Sequence, residues 1–182
     1  PNSFGLVTAT ANASITTAAN GGNITLIANS MDIGASTSVS ANSSSSITLQ
    51  PFINNVQIDL GSASNTLGGP LSLSDPELDL VTAGSIIVGS AGSGAITVSA
   101  DISRAVATNM SLVSAGDVII SGGGINTGGG TLLLDPGASP AAVKPTFANT
   151  DVTASTLSFA SDLSIVINGT APASTPQGST SV

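Results

Sequence analysis

The densest group of reactive side chains in this chain is Asp75, Glu77 and Asp79, three carboxylates within five residues. Such a group has two chemical uses. Several acidic oxygens suit a Ca²⁺ ion, and a pair of carboxylates flanking a glycosidic bond can act as acid and base in sugar cleavage. The same residues also read as local structure. Ser74 and Glu77 have capping-box spacing, Pro76 fits a first helical turn, and acids suit the positive end of a helix. The expectation drawn here is a short helical turn over 75–81, stopped by Gly84, with solvated acids at its start. Arg104 is the sole Arg and Lys144 the sole Lys, and Asp101 is close enough in sequence to pair with Arg104. Two glycine triplets, Gly122-Gly123-Gly124 and Gly128-Gly129-Gly130, invite a phosphate-loop reading. Neither precedes a Lys, so that pattern fails. Gly122-Gly123-Gly124-Ile125 also lacks the Asp of the Ca²⁺-binding nonapeptide repeat. Tight corners needing positive φ explain both triplets.

The absent residue types restrict chemistry further. Cys, His, Trp and Tyr do not occur in the 182 residues. A Ser-His-Asp triad, a Cys-His pair and a zinc site built on Cys or His are therefore impossible within the chain. With a formal charge of −8 and four Phe as the only aromatic residues, phosphate is repelled and stacking platforms are scarce, so no nucleic-acid partner is expected. No catalytic, cofactor-binding or metal-ligating residue is assigned, no cofactor is expected, and the chain is read as not an enzyme. Five Asn-x-Ser/Thr sequons, at Asn12, Asn23, Asn42, Asn109 and Asn168, are about what 30 Ser and 20 Thr produce by chance, and they leave glycosylation open.

The elements that would position these residues are strands. Leu, Ile, Val and Phe are frequent enough for a core and charged residues make up only 7%, which argues against wholesale disorder. Pure aliphatic runs such as Val118-Ile119-Ile120 stop at three residues, against the ~20 a spanning helix needs. Glu77 is the only Glu, and β-branched and small turn residues dominate, so the chain reads as all-β. Short alternating segments recur, including Ile24–Ile27, Ile47–Leu49, Val56–Leu60, Leu71–Leu73, Ile86–Val88, Ile96–Val98, Met110–Val113, Val118–Ile120, Leu132–Leu134, Leu157–Phe159 and Leu163–Ile167. Ile24, Ile47, Leu71 and Ile96 lie 23, 24 and 25 residues apart, and Leu112, Leu132 and Leu157 continue the series. Second strands fall at Ile33, Ile58, Ile86, Val118 and Val143 or Val152. A drifting period in the twenties fits a coiled solenoid of about 7–8 turns, each burying its inward residues on the next. A β-sandwich, with strands every ~8–12 residues, is the competing fold. The expected organisation is an N-terminal strand or cap over 1–20, a solenoid over 21–168 and a Pro/Ser/Thr-rich tail or linker over 169–182. The opening Pro1, without a basic leader, reads as a processed product or an internal piece.

The stretches Val56–Gly61, Leu71–Asp79, Thr82–Gly89, Gly94–Val98 and the loop Leu134-Asp135-Pro136-Gly137-Ala138-Ser139-Pro140 together resemble the repeats of large bacterial exoproteins. These are the filamentous-haemagglutinin-like and autotransporter-associated β-strand-repeat families. The resemblance, over roughly 20–168, implies a right-handed parallel β-helix, secretion to the cell surface and a structural or adhesive role. Three functions follow as expectations. The first is a non-enzymatic extracellular building block that self-associates end to end or by strand exchange, through residues 1–15 or 168–182, into a fibre or surface layer. The second is an adhesin module binding surface glycans through loops 61–70 and 135–150. The third is a polysaccharide lyase or hydrolase using Asp75 or Asp101, for which rings that stack sugars are missing.

Overall fold

A computed structural model describes residues 6–9, 13–17, 21–64, 66, 68–120, 122–137, 146–148, 152–159 and 166–168. Its strands are short because an apolar residue alternates with Ser, Thr or Asn for only two or three pleats before Gly, Asn or Ser turns the chain. In chain order they are β1 (Leu6–Ala9), β2 (Ser14–Thr16), β3 (Ile24–Ile27), β4 (Ser30–Ile33), β5 (Ser38–Ser40), β6 (Ser46–Gln50), β7 (Ile58–Leu60) and β8 (Leu71–Leu73). One helical turn, α1 (Asp75–Asp79), follows, and then β9 (Val81–Thr82), β10 (Ser85–Gly89), β11 (Ile96–Val98) and β12 (Ile102–Ser103). The series ends with β13 (Asn109–Val113), β14 (Val118–Ile120), β15 (Ile125–Asn126), β16 (Thr131–Asp135), β17 (Thr146–Ala148), β18 (Val152–Thr153), β19 (Thr156–Phe159) and β20 (Val166–Asn168).

The architecture is all-β with parallel sheets and one short helical turn. A first six-stranded sheet runs β3-β6-β10-β13-β16-β19, and a second runs β8-β7-β11-β14-β17-β20. Three-stranded sheets β2-β5-β9 and β12-β15-β18 and the pair β1-β4 complete the set. Every described pairing is parallel. That removes the sandwich, whose sheets are antiparallel.

Register stacks like on like. Ile24, Ile47, Ile86, Met110, Leu132 and Leu157 form one column of the first sheet, and Leu26, Leu49, Val88, Leu112 and Leu134 form the next. In the second sheet Leu71, Ile58, Ile96 and Val118 line up, as do Leu73, Leu60, Val98 and Ile120. Nearly all of these side chains are buried, and they join one apolar cluster with Val39, Val81, Ile102 and Ile125. The residues between them point the other way and are at least partly exposed, except Ser72 on β8, which is buried.

The columns correct the expected phase. Leu71 and Ile96 belong to the second sheet, and Ile86 belongs to the first, where Ile47 is followed 39 residues later by Ile86. The reason is an insertion at 61–80, which a spacing count slides across. Val152 lies in the third kind of ladder, beside Ile125. Val143, Lys144, the end of the Leu134–Pro140 loop and the 169–182 tail lie outside the described residues.

Glycine permits the close approach of segments distant in sequence. A Cβ at Gly84 would lie 1.8 Å from the Ser43 carbonyl oxygen, and one at Gly130 would lie 2.1 Å from that of Thr108.

Candidate functional site

The acidic group sits in the insertion, and what positions it is a break in the strand ladders. After β7 the chain leaves the stack, returns as β8 on the other edge of β7, and lies alongside β4. It then turns through α1 into β9. Ladder pairing is missing at two places here: β4 does not pair with β8, and β9 does not pair with β12. Backbone groups left without a ladder partner must find side chains.

Two of the three acids, Glu77 and Asp75, supply them, and Asp79 meets Arg104. The Glu77 carboxylate is buried; one oxygen accepts from Ser74 N at 2.9 Å and Ser74 Oγ at 2.7 Å, and the other accepts from Ile33 N at 3.1 Å. It thus closes the turn of α1 and ties it to β4, 44 residues away. Asp75 Oδ1 accepts from Ser103 N at 2.7 Å, reaching β12. Asp79 Oδ1 lies 3.2 Å from Arg104 Nη1.

Arg104 completes the join from the other side. Its Nη1 donates to the Leu78 carbonyl and its Nη2 to the Val81 carbonyl at 2.7 Å, so the guanidinium spans the gap between β9 and β12. The side chain is 5% exposed, whereas that of Asp79 is 50% exposed. Burial pushes the Arg104 guanidinium below its ordinary value, and the charges of Asp79 and Asp75 oppose that push. It stays charged at neutral pH, as Arg does. Its Nε finds no partner, nor does the buried Ser72 Oγ on β8.

These contacts correct two expectations. Glu77 is not solvated, because the amides of Ile33 and Ser74 compensate its burial. Arg104 does not pair with Asp101, because its side chain turns inward to carbonyls; Asp101 Oδ1 instead accepts from Gly124 N at 2.8 Å. The turn ends at Asp79, with Leu80 as its C-cap, short of the expected 81. Among the described residues no three acids converge as metal ligands. Asp75, Glu77 and Asp79 face three different partners, and the chemistry this arrangement performs is fastening.

The glycine triplets divide by role. Gly128 and Gly129 have positive φ of 64° and 97°, as corners do, while a Cβ on Gly122 or Gly123 would strike the backbone of Ser99 or Ala100. The sequon residues Asn23 and Asn109 use their Oδ1 atoms on the amides of Ser46 and Thr131, one turn on, and Asn42 Oδ1 accepts from Ser44 N. The side chains of Asn12 and Asn168 lie outside the described residues.

One feature escaped sequence reasoning. Phe52 is 58% exposed, with Ile53 beside it and exposed Ile27 on the neighbouring strand β3. Asn29 is buried, and its Oδ1 accepts from both Phe52 N and Ile53 N at 2.9 Å. The signal in the sequence is the run Gln50-Pro51-Phe52-Ile53-Asn54-Asn55-Val56-Gln57, the one place where an aromatic residue is ringed by amides. No family model, characterised protein or solved structure matches the chain.

Proposed function

We propose that this chain is a non-enzymatic structural building block of the cell exterior. In this reading the parallel sheets are faces of one right-handed β-helix, and copies add end to end into a fibre or surface layer. The observation that carries it is a gradient of burial along one column. Ile15, Val39 and Val81 are register partners, yet they are 39%, 4% and 0% exposed. The layer that carries Ile15 therefore presents apolar side chains that a further layer would cover, and Ala13, Ile15, Leu26 and Val39 line a small apolar hollow there. An uncovered strand edge is a template for pairing.

Two further points support the reading. The reactive side chains of the insertion are engaged in holding backbone together, which suits a passive scaffold. The likeness of the repeat stretches to secreted exoproteins supports an extracellular setting.

The test is negative-stain microscopy with sedimentation across a concentration series. Filaments or end-to-end oligomers are expected, and Ile15→Asp is expected to abolish them while leaving the melting temperature nearly unchanged. A native protein that stays monomeric at high concentration overturns the assembly claim. A map with the sheets unconnected around a common core overturns the β-helix.

A further inference from the structure

We infer that the ridge of Ile27, Phe52 and Ile53 is a binding site for a neutral polysaccharide chain. The inference is independent of self-association and concerns the corner where β6 leads toward β7.

The first argument is exposure held in a fixed shape. Ile27 is the register partner of Gln50, and Asn29, two residues on, holds the amides of Phe52 and Ile53, so three exposed apolar side chains fall at one corner; a group of that kind rimmed by polar residues, unlike a lone one, marks a recognition surface. The corner is rigid. Asn29 clamps the amides of Phe52 and Ile53, Asn55 N donates to Gly92 O at 2.8 Å, and Val56 O accepts from Gly94 N at 2.8 Å. Asn55 is the one described non-glycine residue with positive φ, at 63°. A pre-shaped loop loses little freedom when a ligand arrives.

The second argument is the chemistry of the rim. Gln50, Asn54, Asn55 and Gln57 place four amides in eight residues, where an even spread of the chain's Asn and Gln would put fewer than one. Asn54, Asn55 and Gln57 are exposed. Each amide both donates and accepts, as sugar hydroxyls do, and a ring face stacks on the apolar face of a sugar.

The third argument is charge. The chain carries −8. Arg104 is the one described cation, and its guanidinium is buried against carbonyls. Nothing described at the ridge compensates an anionic glycan, so the ligand is neutral. A protein partner fits less well, since three apolar side chains fall far short of the roughly 20–30 residues a side of a stable interface.

The test uses the full chain against insoluble cellulose, chitin, xylan and β-1,3-glucan, with an array of neutral and acidic oligosaccharides. Retention on at least one neutral polymer is expected. Phe52→Ala should lower the bound fraction at least tenfold with an unchanged circular dichroism spectrum and melting curve, and Asn54→Ala should lower it severalfold. Val106→Ala, which trims an equally exposed residue at another corner, should leave it unchanged. Four outcomes overturn the proposal: no retention of the native chain, equal retention of Phe52→Ala, preference for acidic sugars, or Phe52-dependent self-association without sugar.

Discussion

At the scale of single residues, the contact of Arg104 with Asp79 differs from a buried ion pair. Arg104 and Asp79 approach within 3.2 Å, but only the guanidinium is buried. An ion pair with one solvated partner contributes little, whereas a buried guanidinium bound to two carbonyls contributes through charge-assisted bonds. Asp79→Ala should therefore cost about 0–1 kcal/mol in urea unfolding. Arg104→Ala should cost about 3 kcal/mol, because the Leu78 and Val81 carbonyls lose their donors in a place water does not reach. Equal losses for the two variants would show that the pair, and not the carbonyl bonds, is what matters. Glu77 follows the same logic. Glu77→Ala strands the Ile33 and Ser74 amides and should cost about 2–3 kcal/mol. Glu77→Gln keeps one acceptor for Ile33 and should cost about half as much, read from the same unfolding curves.

At the scale of elements, the glycines at the corners separate steric from conformational demands. Gly84→Ala should destabilise by about 3 kcal/mol, the upper range for forced overpacking, because the obstacle is the rigid Ser43 carbonyl. Gly129 has open space around its missing Cβ but a φ of 97°, so Gly129→Ala should cost about 1–2 kcal/mol from the left-handed backbone alone. Thermal melts of the two variants check the order. The same scale shows what was legible in the sequence. Segments such as Ile47-Thr48-Leu49 and Ile96-Thr97-Val98 announce their strands through alternation, and Ser74-Asp75-Pro76-Glu77 announces its turn through local capping chemistry. The phase of the columns was not legible, because β8 repeats the pattern of β7 in Leu71-Ser72-Leu73 and nothing local marks it as an extra row. The partners of Glu77 and Arg104 were equally hidden. Ile33 N is an ordinary strand amide, and it becomes an unpaired donor only because β4 and β8 lie side by side without pairing. Phe52 was hidden as well: one of four Phe in 182 residues looks incidental until the fold turns it outward.

At the scale of the whole molecule, stability is shared among neighbours. Each described strand pairs only with its neighbours in a parallel sheet, so its protection depends chiefly on the strands on either side of it. Native-state hydrogen exchange should therefore be graded along the stack. The amides of β10 and β13, flanked on both sides in the first sheet, should be the slowest, and those of β2, whose Ile15 is partly uncovered, should exchange faster by at least tenfold. Uniform protection would indicate a single cooperative unit instead.

The strand β8 has the geometry of an edge dislocation in a layered crystal. Over residues 46–98 the first sheet holds two rows, β6 and β10, whereas the second accommodates three, β8, β7 and β11. One flank is thereby longer by a strand spacing, about 4.8 Å. The flank carrying β9 and β12 is propped open as well, by the wedge of α1 and the Arg104 guanidinium. A segment of chain that looks like a local accident thus gives one sheet a row that the other lacks, while the strands on either side keep their own register.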